Sequence, residues 1–158
     1  MVSRPIMPLG KDIGYLPGSK EEQLSSWLEP VSDNMQYMLD PRLEQSGDKV
    51  QYLYDTGVVE VEAVTYIRGR SLPKLFIIID EAQNLTPHEV KTVVSRAGED
   101  AKVILTGDAY QIDNPYLDAS SNGLTYVVER FKDQPIHGHI TLAKSERSEL
   151  ASLAANLL

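Results

Sequence analysis

The sequence contains no cysteine, which excludes disulfide bonds, cysteine metal ligands and a thiol nucleophile, and which favours a reducing, cytoplasmic location. It has no run of about 18 apolar residues that would cross a membrane, and its N-terminus lacks the apolar core of a secretory signal. Positive charge is scarce too, because 23 acidic residues outnumber 15 lysines and arginines. The net charge of −8 disfavours a broadly basic face for nucleic acid.

What the sequence does contain is enough apolar residues, 42% of 158, for one domain with a hydrophobic core. The most informative stretch is LFIIIDEAQNLT at residues 75–86. Its five consecutive apolar residues predict a strand covered on both faces, as in a parallel α/β sheet. Such sheets bind ligands outside the carboxyl ends of their strands, and that is where Asp80 and Glu81 follow.

Two adjacent acids at the end of a strand need a cationic partner, because repulsion and desolvation otherwise cost free energy. In a nucleotide hydrolase that partner is Mg²⁺ bound to phosphate. One acid, here Asp80, holds the ion through water, and the next, Glu81, orients or deprotonates the attacking water. The alternative is that both acids merely favour the N-terminal end of the following helix.

The rest of the pattern predicts helices and strands in alternation, as in a parallel sheet. Strands are predicted over 58–66, 75–79, 102–106 and 137–142. Helices are predicted from residue 19 to Pro30, which marks a break or a new first turn, and over about 31–39, 86–96 and 121–131. A last helix is predicted from Ser145 with its leucines facing inward. The polar segment 41–49 is predicted to be a loop. The strongest helix start is Thr86-Pro87-His88-Glu89, a capping box with proline at the first helical position.

A second group of candidate residues follows the strand at 102–106. Gly107 permits a sharp turn, and Asp108 lies at another carboxyl end of the sheet. The amide of Gln111 either reports a γ-phosphate or satisfies backbone groups of its own loop. Arg147 falls in the first turn of the last predicted helix, where a cation opposes the helix dipole, so an anionic phosphate there would explain its position.

Three motifs in this order, IIIDEAQN, LTGDxxQID and LxKSERS, resemble the PhoH family of predicted or demonstrated ATPases, whose core is like that of superfamily-one helicases. The opening segment, residues 4–30, looks closest to the subgroup in which a PIN-type ribonuclease domain precedes the PhoH domain. The resemblance covers essentially the whole chain. It implies a parallel-sheet, P-loop NTPase-like three-layer sandwich, with ATP and Mg²⁺ as ligands, single-stranded RNA as a partner and assembly into a homo-oligomeric ring.

The resemblance also implies roles for individual residues. Asp80 corresponds to the Walker B acid that is associated with Mg²⁺ through water, and Glu81 to the catalytic base. Gln83 belongs to the same motif, which faces the nucleotide. The segment 107–111 is similar to the helicase motif whose glutamine senses γ-phosphate, and Arg147 to the arginine that contacts γ-phosphate and stabilises transferred charge.

An RNA-facing edge is the last site that the resemblance implies. Arg4 and Pro5 resemble the segment that in helicase-like cores lies toward single-stranded nucleic acid. Arg68 and Arg70, which flank a glycine, would extend that edge. Taken on their own, these two arginines either grip phosphate or are solvated surface charges.

One departure from the family pattern is serious: the sequence contains no GxxxxGK[ST] motif, and its one Gly-Lys pair, at residues 10–11, is followed by Asp12. The phosphate-binding loop, its lysine and its Mg²⁺-binding hydroxyl are therefore missing. In the family they lie just before the segment where this chain begins. We therefore expect residues 1–158 to be a single partial domain, truncated at its N-terminal strand, loop and helix.

Two alternatives to a working ATPase domain follow from the residues. Without the phosphate-binding loop, the chain would be a catalytically inactive remnant that serves as an interaction module. The second alternative is a metal-dependent nuclease, built on the four acids Asp80, Glu81, Asp108 and Asp113.

Overall fold

The structure is a computed structural model that describes residues 1–5, 20–39, 46–143, 148–150, 153 and 157. Its strands are β1 (Val2–Arg4), β2 (Val61–Ala63), β3 (Phe76–Ile79) and β4 (Lys102–Leu105). Its helices are α1 (Lys20–Leu39), α2 (Ser46–Asp55), α3 (Val64–Ile67), α4 (Pro87–Val94) and α5 (Gly123–Phe131), with a short 3-10 helix at Ala82–Asn84. None of the helices in these ranges is long and apolar enough to cross a membrane.

The four strands form one parallel sheet in the order β2-β1-β3-β4, which confirms the predicted α/β class. In its register Ser3 lies beside Ile79, and Ile79 lies beside Leu105. Because the strands are parallel, β1, β3 and β4 end at the same edge of the sheet. The residues that follow these three paired positions, Arg4, Asp80 and Thr106, therefore meet there.

The core is built around β3 and the elements that follow it. Ile77 and Ile79 are almost completely buried, and Val90 of α4 is completely buried against them. Burial of a side chain of this size stabilises the fold by about 1.5–3 kcal/mol. Phe76 and Ile78 point to the opposite face of the strand, where Phe76 is 51% exposed and Ile78 is half-buried, so the predicted full burial holds only for the face of Ile77 and Ile79.

The predicted start of α4 is confirmed. The Thr86 hydroxyl accepts a hydrogen bond from the Glu89 backbone N–H at 3.2 Å, and the Glu89 carboxylate accepts one from the Thr86 N–H at 2.8 Å. Pro87 is the first helical residue, where its missing N–H has no consequence. The helix thus begins immediately after the 3-10 helix and fixes the path of the chain away from the acids.

The N-terminal part of the chain differs from the prediction in two places. The expected break at Pro30 is wrong, because α1 runs unbroken through it. Proline removes one helical hydrogen bond, but α1 packs against α2, where the hydroxyls of Ser32 and Tyr54 lie 3.0 Å apart. The expected loop over 41–49 is wrong from Ser46 onward, since α2 begins there and buries Val50. Residues 40–45 lie outside the described part.

Two predicted strands also differ from the structure. The strand over 58–66 is reduced to β2, because its partner β1 offers only three residues for pairing, and the chain then turns into α3. The strand over 137–142 is wrong: these residues form no regular structure, and Ile140 and Leu142 are 83% and 84% exposed. A segment of alternating apolar and polar residues forms a strand only where a neighbouring strand supplies hydrogen-bond partners for its backbone.

The last predicted helix is present where the structure describes it, at residues 149–150, 153 and 157. The expectation that its leucines face inward is wrong for Leu150, Leu153 and Leu157, which are 78%, 55% and 72% exposed. Helical periodicity identifies an apolar face but does not supply the surface that would cover it. Its predicted cap Ser145 and the neighbouring Arg147 lie outside the described residues.

The turn before α5 is organised by Asp118, which accepts hydrogen bonds from the Ser120 hydroxyl and N–H and from the Ser121 N–H. These bonds, those of Ser120 first, lower the pKa of Asp118 from 3.8 to about 2. The stability they contribute is therefore present above the ordinary pKa and is lost as the pH falls through about 2. Asn122 then caps α5 by accepting a hydrogen bond from the Thr125 N–H at 2.9 Å.

We predict that the Asp118 carboxyl titrates near pH 2 in carbon-detected NMR. Replacing Ser120 with alanine removes a hydroxyl donor to the ionised form, so the pKa should rise toward 3.8. A midpoint of Asp118 that does not respond to Ser120→Ala would contradict this account.

We also predict that the caps of α4 and α5 contribute differently to the free energy of unfolding. Thr86→Ala should lower the free energy of unfolding by about 1 kcal/mol, the usual cost of losing a cap. Asn122→Ala should cost about 2–3 kcal/mol, because Asn122 is completely buried and also donates to the carbonyls of Asp118 and Ala119. Urea unfolding of both variants tests this, and equal losses would show that the buried amide adds nothing to the cap.

Candidate functional site

The acidic pair lies at the carboxyl end of β3, where both neighbouring strands hold the backbone. The N–H of Asp80 donates to the Ser3 carbonyl of β1 at 2.8 Å, and the N–H of Ala82 donates to the Thr106 carbonyl at 2.9 Å. Glu81, between them, adopts a left-handed backbone conformation with φ 54° and ψ 37°. That conformation costs a residue other than glycine about 1 kcal/mol, and it turns the chain sharply from β3 into the 3-10 helix.

Each of the four carboxylate oxygens of the pair has a partner within the protein. Asp80 Oδ1 accepts a hydrogen bond from the Thr106 hydroxyl at 2.7 Å, and Asp80 Oδ2 lies 3.2 Å from Arg4 Nε. Glu81 Oε1 lies 3.2 Å from Arg4 Nη2, and Glu81 Oε2 accepts from Gln83 Nε2 at 2.6 Å. The two side chains are thus oriented by a hydroxyl, a guanidinium and an amide.

Charge at this site is only partly compensated. Arg4 contributes one positive charge to two carboxylates, so the three side chains together keep a net charge of −1. The Arg4 side chain is 18% exposed, and those of Asp80 and Glu81 are each 38% exposed. The acids are therefore accessible to a ligand from solvent, while the guanidinium lies deeper among them, where its attraction is less screened than at the surface.

Gln83 connects the acidic pair to the loop after β4. Its side chain is completely buried and faces inward: besides donating to Glu81, the amide donates to the Gln111 carbonyl at 2.8 Å and accepts from the Asp108 N–H at 3.2 Å. Both ends of the amide are thus engaged inside the protein. Gly107 is required beside it, because a Cβ at that position would lie 2.2 Å from the Gln83 side-chain oxygen.

The loop after β4 carries two further candidate residues, Asp108 and Gln111. Gln111 is exposed, and its side chain donates to Asp108 Oδ2 at 2.8 Å. Asp108 Oδ1 accepts from the Tyr110 N–H. A second buried amide, Asn84, accepts from the Asp113 N–H at 2.8 Å and fastens the far end of the loop. The loop is therefore positioned through Gln83 and Asn84 of the 3-10 helix.

Three contributors to the site were absent from the sequence expectations in these roles: Thr106, Asn84 and, as partner of the acids, Arg4. Thr106 is the polar residue that directly follows β4, the neighbour of β3, and that position in the sequence is a usable signal. Asn84 stands next to the motif in DEAQN. Arg4 had no local signal, since it is 77 residues away from Glu81 in the chain.

The remaining sequence-predicted residues are not all gathered at this edge. Arg70 lies against the acids around β2, 3.2 Å from Glu62 and 3.9 Å from Glu60, and Arg68 is exposed at the end of α3. Arg4 is paired with Asp80 and Glu81, and so it does not form one cluster with Arg68 and Arg70. Arg147 lies outside the described residues, so its implied position beside γ-phosphate stays a prediction.

The donor set fits Mg²⁺, which prefers hard oxygen ligands and usually keeps several waters and phosphate oxygens of its own. Asp80, Glu81 and the Thr106 hydroxyl offer such oxygens on one edge of the sheet. Within the described ranges no three acids or histidines come together as a metal site. Asp108 and Asp113 turn toward their own loop and Asn84, so the four acids of the nuclease alternative do not gather.

The fold and the site define a parallel α/β domain that presents an oriented acidic pair at the carboxyl ends of its strands. Residues 1–157 match the family model described as PhoH-like protein. The chain therefore belongs to the PhoH family, as the three motifs predicted.

Several curated proteins are similar to this chain. Protein PhoH2 of Bacillus subtilis (strain 168) is 58% identical over 158 residues, which are 100% of this chain and 35% of that protein. Protein PhoH2 of Mycolicibacterium smegmatis is 38% identical over 159 residues, with the same shares covered. The PhoH-like protein of Bacillus subtilis is 36% identical over 115 residues, 73% of this chain and 34% of that protein. The matched part of the chain covers about a third of the length of each of these relatives.

We predict that Gly107→Ala disrupts the link between the acids and the loop. The new methyl group would displace the buried Gln83 amide and leave polar groups unsatisfied, at a cost of about 1–3 kcal/mol in the free energy of unfolding. Gly138→Ala is the matched control, because a Cβ there meets nothing within 4 Å. Denaturant unfolding of both variants measures the difference, and equal stability would contradict the role given to Gln83.

Proposed function

We propose that this chain is the hydrolysis and γ-phosphate-sensing part of a Mg²⁺-dependent ATPase domain linked to RNA metabolism. The observation that carries the proposal is the orientation of all four oxygens of Asp80 and Glu81 at the carboxyl edge of a parallel sheet. Ligands of such sheets bind at this edge. Membership of the PhoH family supports the choice of ATP and Mg²⁺.

The roles of the acids follow from their partners. Asp80 would hold Mg²⁺ through water, aided by the Thr106 hydroxyl that fixes its other oxygen. The ion, when bound with ATP, neutralises charge on the β- and γ-phosphates. Glu81 would orient the attacking water and accept its proton, and Gln83 fixes the direction of that carboxylate.

Sensing of the γ-phosphate would pass through the loop after β4. Gln111 is exposed at that loop, and its backbone carbonyl is bonded to the same Gln83 amide that contacts Glu81. A contact between Gln111 and phosphate would therefore be transmitted to the catalytic base through one buried side chain. Arg147 is proposed as a second γ-phosphate contact, on the strength of its motif alone.

Single-stranded RNA and a ring of identical subunits belong to the same proposal, and both are carried over from the motif resemblance alone. Of the three arginines assigned to RNA, Arg68 is exposed, whereas Arg70 and Arg4 are paired with acids. A preceding PIN-type ribonuclease domain is proposed from the opening segment in the same way.

The chain by itself is proposed to be inactive, because its sequence contains no GxxxxGK[ST] motif to cradle the phosphates. The chain covers 35% of the length of Protein PhoH2 of Bacillus subtilis, and we propose that activity needs part of what it does not cover. We therefore expect turnover only when the remaining part is supplied, for example from the Bacillus subtilis relative that is 58% identical.

Steady-state ATP hydrolysis tests the proposal, with this chain measured alone and joined to the part of that relative that it does not cover. We predict no turnover by the chain alone and Mg²⁺-dependent turnover by the joined protein. Glu81→Gln should lower kcat of the joined protein by about 10²–10⁴, the usual contribution of a general base. Glu62→Gln is the matched control, since it removes the same charge beside Arg70. Unchanged turnover with Glu81→Gln would contradict the proposal.

A further inference from the structure

We propose that Arg4 keeps the Asp80–Glu81 pair closed to bare divalent cations, so that the pair accepts Mg²⁺ only together with a phosphate-bearing ligand. Arg4 is in this view a positioning and specificity-determining residue of the site. The inference rests on the proposed function only in assigning the pair to Mg²⁺. The property that it predicts, a low affinity of the acidic pair for free divalent cations, belongs to this chain without nucleotide.

The position of Arg4 is fixed by the sheet. Ser3 is paired with Ile79, so the next residues in the two parallel strands, Arg4 and Asp80, are neighbours at the shared edge. The hydrogen bond from the Asp80 N–H to the Ser3 carbonyl holds that register at the last step of the ladder. Arg4 is therefore presented to the acids by backbone pairing, and does not depend on a flexible loop to reach them.

The contact uses the fork of the guanidinium. Nε lies 3.2 Å from Asp80, and Nη2 lies 3.2 Å from Glu81, so one planar group spans two different carboxylates. Lysine, a point charge, cannot make both contacts with the same directionality. The other oxygen of each acid is taken by Thr106 or Gln83, which leaves the pair without a fully open carboxylate.

The charges of these three side chains favour a cation that is bound to phosphates over a bare divalent cation. A bare divalent cation would gain from a net charge of only −1 on the three side chains, and it would be repelled by the guanidinium within the same contact shell. A cation that arrives with phosphates brings negative charge of its own, which the guanidinium attracts. Arg4 thus lowers the affinity for free Mg²⁺ without lowering the affinity for its phosphate complex to the same extent.

An arginine that served stability alone would behave differently. Its removal would lower the free energy of unfolding but would leave cation binding unchanged. The chain offers a matched comparison, since Arg70 also lies between two acids, Glu60 and Glu62, with its side chain 42% exposed. Both arginines can be replaced with the same change in net charge.

The experiment is a titration of this chain with Mn²⁺ alone, followed by electron paramagnetic resonance of the free ion, for the wild type, Arg4→Gln, Arg4→Lys and Arg70→Gln. We expect Arg4→Gln to bind Mn²⁺ at least about tenfold more tightly than the wild type, Arg4→Lys to fall between them, and Arg70→Gln to match the wild type. Adding Asp80→Asn to Arg4→Gln should abolish the gain. Thermal unfolding should show the same order, with Mg²⁺ raising the Tm of Arg4→Gln but not of the wild type.

Equal Mn²⁺ affinity in the wild type and Arg4→Gln would overturn the inference, and so would an equal gain in Arg70→Gln. If Arg4→Gln does not fold at any Mg²⁺ concentration, Arg4→Lys decides, and wild-type affinity in that variant would overturn it. No nucleotide is present in these measurements. A failure here is therefore distinct from a failure of the proposed ATPase, which is read from turnover of the joined protein.

Discussion

The structure depends on a simple constraint: two adjacent carboxylates at the end of a buried strand must be given partners. Arg4 at the end of β1, Thr106 directly after β4 and Gln83 of the 3-10 helix supply them. The pairing of β1 with β3, the left-handed turn at Glu81 and the burial of Gln83 all serve this arrangement. The same contacts stabilise the sheet edge and fix the orientation of the acids.

The buried amide of Gln83 makes the site a connected unit. It joins Glu81 to the loop that carries Asp108 and Gln111, and Gly107 leaves the space it needs. A ligand that moves this loop therefore changes the environment of Glu81 through one side chain. Hydrogen-bond networks of this kind are rigid when every member is satisfied, and no buried polar side-chain atom in the described part of the chain lacks a partner.

Sequence predicted the parts of this arrangement that depend on local pattern. Three predictions that each depend on a few consecutive residues are confirmed: the strand before Asp80, the capping box at Thr86 and the strand before Gly107. Pairing over long distances was beyond such patterns. The contact of Arg4 with the acids requires the parallel register of β1 and β3, and the strand over 137–142 was wrong because its alternating residues meet no partner strand. Pro30 was overestimated as a helix breaker because the packing of α1 on α2 is not visible in sequence.

The most direct test is a crystal structure of this chain grown without nucleotide, at a resolution that defines the Arg4 side chain. The account predicts that its guanidinium lies between Asp80 and Glu81, with Nε and Nη2 each about 3 Å from a different carboxylate, as charge-assisted hydrogen bonds require. An Arg4 side chain turned to solvent, with the two acids separated or paired elsewhere, would contradict the central claim.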